Sequence, residues 1–172
     1  DMAKTTNFSI IYGVSAYGLS QSTNMTPQDA AMFIDIYFKR YPRVRSYIDE
    51  MIELARKQEF VTTLLGRRRY IPEIHSTNRQ KREFAERTAM NTPIQGSAAD
   101  LIKVVMIEIT EKLKNKKSKM ILQVHDELVF EVYKEELDSV KEMVKDRMEN
   151  TIYLEVPIKV DINMGQNWLE AK

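Results

Sequence analysis

Residues 120–132 hold two short apolar runs, MILQV and LVFEV, with only the charged knot His125-Asp126-Glu127 between them. Two strands with so short a connection must run antiparallel. The chain therefore has to contain a β-hairpin whose tip presents Asp126, with Glu127 beside it. Carboxylate oxygens suit a hard cation such as Mg²⁺, which takes one or two of them, keeps several waters, and completes its shell with substrate phosphates. A two-metal phosphoryl-transfer site also needs a second carboxylate to bridge both ions. Asp is equally a good turn residue in its own right. A turn in so apolar a hairpin is more cheaply made with Asn-Gly, however, and this favours a functional role for the knot.

The rest of the chain reads as helices first and a small sheet last. Residues 2–12 have a helical pattern that stops at Gly13, and a short helix is expected over 14–22. Thr26-Pro27 is a helix start, with Thr as N-cap and Pro at the first helical position. Pro42 interrupts that helix, and another follows to about residue 58. The stretch FVTTLLGRRRYI is β-like on both sides of Gly66, which predicts a hairpin. A long helical pattern runs from Asn78 to about Lys114, and Pro93 is expected to kink or break it. KEELDSVKEMVKDRMEN reads as an amphipathic helix, and VPIKVDINMG as a final strand. Helices followed by a small antiparallel sheet define an α+β chain.

Composition excludes several classes. The 172 residues are 43% hydrophobic and 30% charged, an ordinary globular balance. No stretch approaches the apolar length of a membrane-spanning helix. There are no cysteines, so disulfides and thiolate metal sites are out of reach. The net charge of +1 does not announce a polyanion partner. Locally it differs: from Arg67 to Arg87 there are seven basic residues (Arg67, Arg68, Arg69, Arg79, Lys81, Arg82, Arg87) against three acidic (Glu73, Glu83, Glu86). That excess is either a phosphate-facing patch or a solvated face. The first residues, DMAKTTNFSIIYG, lack an initiator Met and read as a helix already under way, the expectation for a piece of a longer protein.

Two helix faces carry further candidates. Lys4, Phe8 and Tyr12 recur at every fourth residue, so they share a face spanning about 12 Å. A cation and two rings along one face suit the phosphates, sugar and base of a nucleotide; an ordinary core stripe with a surface lysine has the same spacing. Arg87, Asn91 and Gln95 repeat the pattern. All three donate hydrogen bonds and two also accept, which suits the acceptors of a DNA minor groove, where shape is read with little sequence content. Capping and turn chemistry around Pro93 is the alternative.

Taken together, these stretches resemble the family A DNA polymerases. MAKTTNFSIIYG resembles their motif B, LQVHDELVFEV their motif C, GRRRYIPEI and ERTAMNTPIQGSAADLIK the stretches between, and VPIKVDINMGQNWLEAK the family's C-terminus. The resemblance implies a mostly helical fingers segment at 1–66, with motif B at 2–13. Residues 67–172 would form half of a palm, with the long kinked helix and the motif C hairpin at 120–132. It implies that Lys4 binds the triphosphate of an incoming dNTP, that Phe8 sits beside its sugar, and that Tyr12 stacks near the templating position. Arg87, Asn91 and Gln95 would touch the minor groove of primer–template DNA, and Gln123 and His125 the primer terminus. Asp126 would be a catalytic metal ligand with Glu127 beside it, in an enzyme using two Mg²⁺ ions. His-Asp-Glu, where related phage RNA polymerases usually carry His-Asp-Ser, favours DNA synthesis. A bacterial cytoplasmic, nucleoid-associated protein of DNA replication and repair, with no membrane partner, is implied.

The sequence also departs from the family's pattern. Asp1 stands where many relatives carry an Arg, and Ser9 where Gly is commoner. Motif A, with the other catalytic Asp and a central palm strand, is not in this sequence, and neither is the thumb. The chain alone is thus expected to be inactive, to need an upstream polypeptide carrying motif A and the thumb, and otherwise to self-associate. A non-catalytic nucleic-acid-binding or interaction module on the same fold is the alternative.

Overall fold

The computed structural model describes residues 2–171, so Asp1 and the departure read at it lie outside the described residues. Six α-helices and two small antiparallel hairpins make up the described fold, which is α+β and 61% helical.

The first helix, α1 (Met2–Ile11), stops where Gly13 takes a positive φ of 76°. The Gly13 N–H donates to the Ile10 carbonyl (3.0 Å) and the Val14 N–H to the Ser9 carbonyl (2.9 Å). That pair of bonds is the Schellman ending, which consumes carbonyls the helix would otherwise leave unpaired. Ser15 caps α2 (Ala16–Ser22) by accepting from the Gly18 N–H at 3.1 Å. Thr26 caps α3 (Pro27–Arg40) by accepting from the Asp29 N–H at 3.1 Å, with Pro27 in the first turn, as the Thr-Pro signal predicts. Pro42 opens α4 (Pro42–Gln58).

Strands β1 (Phe60–Thr62) and β2 (Arg68–Tyr70) pair antiparallel, with Val61 opposite Arg69. After a 3₁₀ turn at Pro72–His75, α5 runs from Arg79 to Leu113. It passes through Pro93 without a break, contrary to the stronger form of the expectation. Pro93 has no N–H to donate, so one helical rung is missing. Beside it the Ser97 hydroxyl donates to the Pro93 carbonyl and accepts from the Leu64 N–H at 2.8 Å, which ties the loop after β1 to α5.

The chain forms two compact units, one up to Ser97 and one from Ala98 on. In the first, Ala55, Val61, Ile71, Ile74, Ala85 and Ala89 are buried together. In the second, Val105, Ile109 and Leu113 of α5 meet Val140 and Val144 of α6 (Leu137–Asn150). Leu128 and Phe130 of the second hairpin pack against that cluster. Complete burial of an Ile such as Ile109 contributes about 1.5–3 kcal/mol.

That hairpin, β3 (Lys119–Val124) and β4 (Glu127–Glu131), has a bulge between Met120 and Leu122. Its base is clasped by Ser118 and Glu136. Glu136 Oε1 accepts from the Lys117 N–H (3.1 Å), and Oε2 accepts from the Ser118 N–H (3.0 Å) and the Ser118 hydroxyl (2.6 Å). The Ser118 oxygen in turn accepts from the Tyr133 N–H at 3.1 Å.

One element differs from expectation. Residues 156–165 form no strand. Their apolar and β-branched pattern is strand-like, but a strand exists only where its N–H and C=O groups meet a ladder. Among the described residues β3 and β4 pair only with each other.

Candidate functional site

On α1 the predicted face is realised as a stacked pair. The Phe8 and Tyr12 rings lie 6.0 Å apart with planes inclined by 26°. Phe8 is 46% exposed and Tyr12 half-buried, while Lys4, one turn earlier, is exposed. A fully buried core stripe is therefore excluded: this face offers a cation and a ring to solvent.

The end of α1 is fixed against α5. A Cβ on Gly13 would lie 3.0 Å from Met90 Sδ and 3.3 Å from Arg87 Cγ. Behind this contact the Tyr47 hydroxyl donates to the Met90 carbonyl at 3.1 Å, and burial pushes its pKa up. The face that carries Phe8 and Tyr12 thus ends beside the residue that begins the second predicted face.

That second face lines an open groove of about 460 Å³. Arg87, Asn91 and Gln95 share it with Phe84, Thr88, Thr92 and Gly96 of α5 and with Arg67 and Arg69 of the β1–β2 hairpin. The hairpin reaches α5 because Gly96 admits it: a Cβ there would lie 2.7 Å from Thr63 Cγ2. Arg67 Nη2 donates to the Gly96 carbonyl at 3.1 Å. Asn91 Oδ1 is buried with no hydrogen-bond partner among the described residues. Such orphans are rare in folded proteins and cost stability when no ligand meets them.

The structure also sorts the basic cluster. Arg79 is paired with Glu83 at 2.6 Å; their hydrogen bond raises the arginine's pKa and lowers that of the carboxylate. Arg82 donates to the Ser76 carbonyl at 3.0 Å, and the Arg68 guanidinium lies 4.8 Å from the centre of the Phe60 ring. Arg67, Arg69 and Arg87 line the groove. Sequence reasoning had the cluster and the Arg87 face but did not join them, because the join is made by hairpin pairing. It missed Phe84, although 84, 88, 91 and 95 recur at helical spacing.

In the second unit, a two-residue loop joins β3 and β4, with Val124 opposite Glu127. His125 takes a positive φ of 54°, a region uncommon for any residue but glycine. The Gln123 side-chain amide donates to the His125 carbonyl at 2.6 Å and braces the turn. Asp126 and Glu127 are both exposed. Two adjacent carboxylates fit the partial donor set of a hydrated Mg²⁺. Among the described residues no group of three or more His, Cys, Asp or Glu side chains is placed to hold a metal ion. No helix among them is long and apolar enough to cross a membrane.

The family model described as DNA polymerase family A matches residues 1–170, and the chain belongs to that family. It is 54% identical to DNA polymerase I of Caldicellulosiruptor bescii and 51% identical to DNA polymerase I of Bacillus subtilis, covering 99% of this chain in each case. It spans about a fifth of the length of these curated relatives, 20% of each. A solved structure described as the POL domain of Pol1 from M. smegmatis, in complex with DNA primer–template and dNTP, is similar over 99% of this chain. The TM-score is 0.95 at 44% identity, covering 30% of that domain.

Proposed function

We propose that the chain supplies the fingers helices (1–66) and the C-terminal part of the palm (67–172) of a DNA polymerase I-type enzyme. That enzyme adds dNTPs to a primer 3′-OH under template direction. The observation that carries this reading is the likeness, over 99% of this chain at 44% identity and a TM-score of 0.95, to a polymerase domain described with primer–template and dNTP.

In this reading the Lys4 ammonium meets the triphosphate as a compact point charge. The exposed Phe8 ring lies along the sugar, and Tyr12 borders the templating base. Closing of α1 over the nucleotide excludes water and tests base-pair shape. Arg87, Asn91 and Gln95 donate to the minor-groove acceptors that every base pair presents, which holds the duplex in register without reading its sequence. Gln123 and His125 sit at the primer terminus. Asp126, with Glu127 beside it, would hold the metal. Two Mg²⁺ ions, when bound, supply stabilisation of the attacking and leaving oxygens. The second bridging carboxylate belongs to motif A on the upstream polypeptide, together with the thumb. Primer–template DNA and dNTPs are the remaining partners, in the bacterial cytoplasm at the nucleoid.

The absence of a third metal-ligating side chain among the described residues favours a second reading for the chain by itself: a nucleic-acid-binding module without chemistry. Primer extension with Mg²⁺ and four dNTPs separates the two. The chain is assayed alone and together with a polypeptide carrying motif A, as wild type and as Asp126→Asn. Extension that needs both polypeptides and disappears in the variant supports the polymerase reading. Extension that survives Asp126→Asn overturns the role of that carboxylate. Duplex binding without extension in any combination supports the module.

A further inference from the structure

The groove is lined by arginines, amides, threonines and a glycine, with one exception. Phe84 is 64% exposed and lies in the same lining. It stands at the N-terminal end of the stripe Phe84, Thr88, Asn91, Gln95, which extends about 16 Å along α5. The Thr88 hydroxyl is spent on the Phe84 carbonyl at 2.9 Å, so it offers no free donor toward that end. The groove therefore sets one bare hydrocarbon ring among cations and hydrogen-bond donors. An exposed ring gains nothing from water and cannot answer a phosphate or a base edge. It matches the carbon-bound surface of a sugar. In DNA the sugar presents that surface along the minor groove, whereas an RNA helix displays 2′-hydroxyls there. A hydroxyl pressed against the phenyl ring loses water without gaining a partner.

We propose that Phe84 is a further duplex-contact residue of this groove: its ring packs on deoxyribose, adding grip that does not depend on salt and favouring DNA over RNA duplexes. This rests on the reading of the groove as a primer–template site.

The test is duplex binding by the chain over a series of salt concentrations, for wild type, Phe84→Ala and Arg69→Ala, on DNA and on RNA duplexes of one sequence. Phe84→Ala is expected to weaken DNA binding roughly fivefold at every salt concentration, with a parallel salt dependence, and to leave RNA binding unchanged. Arg69→Ala is expected to make the salt dependence shallower, as loss of a phosphate contact does. Unchanged DNA affinity in Phe84→Ala, equal losses on DNA and RNA, or an altered salt slope would each overturn the proposal. Wild type that binds neither duplex at low salt sinks instead the reading of the groove on which it rests. Phe84→Leu, which keeps an apolar surface, should recover part of the DNA preference.

Discussion

Gly13 and Met90 touch so closely that a single added carbon would not fit without movement: a Cβ on Gly13 would stand 3.0 Å from Met90 Sδ. The glycine is demanded twice, by this contact and by its φ of 76°. Gly13→Ala should destabilise the first unit by about 1–2 kcal/mol from the left-handed backbone alone. Met90 is flexible, so Gly13→Ala combined with Met90→Ala should show positive coupling in a double-mutant cycle of thermal melts. Additive effects would mean that the two residues do not meet.

Asn91 points to a trade of stability against function. Its Oδ1 is buried without a partner. Replacing an unsatisfied polar group with an apolar one of similar shape is close to neutral or stabilising. Asn91→Leu should keep or raise the melting temperature while weakening primer–template binding. A variant that melts lower and binds normally would contradict the assignment.

His125 holds a positive φ in a turn that glycine enters freely. His125→Val should destabilise the second hairpin by about 1–2 kcal/mol, because a β-branched residue tolerates that region poorly. His125→Gly should be neutral or mildly stabilising, yet should lower extension if the imidazole contacts the primer terminus. Chemical denaturation and the extension assay read the two effects separately.

Glu136 makes the second unit sensitive to acid. Hydrogen bonds from the Ser118 hydroxyl first, and then from the Lys117 N–H, hold its carboxylate below the ordinary value of 4.5. A depressed folded pKa contributes stability that is present above the unfolded pKa and is lost as pH falls through the folded one. Wild type should therefore be more stable than Glu136→Gln at neutral pH, and the difference should close as pH falls from the ordinary carboxylate range through the lowered folded pKa. Urea midpoints at the two ends of that range check it; a difference independent of pH would rule the carboxylate out as the cause.

Much of this was legible because it is local. Thr26 caps a helix where its position says it should, and Gly13 ends α1 through bonds that span five residues. Both hairpins are announced by their turns. The failures are non-local. Residues 156–165 have a strand's pattern, but pattern does not supply a ladder. Pro93 has a breaker's chemistry, but α5 continues through it, with its proline-bearing turn tied to the loop after β1 by Ser97 and Leu64. The groove needed the β1–β2 pairing to carry Arg67 and Arg69 alongside Arg87, and no spacing along the chain encodes that. Asp126 was visible as a turn carboxylate from its neighbours alone.

The clasp at the base of the second hairpin has a kinetic signature. Three amide protons, those of Lys117, Ser118 and Tyr133, end on one carboxylate and one hydroxyl rather than in a sheet ladder. Ser118 Oγ and Glu136 are themselves joined by a bond, so the three amides hang on one connected network. The loop before β3 and the turn after β4 therefore open as one unit, and their amides should exchange with solvent at a common rate.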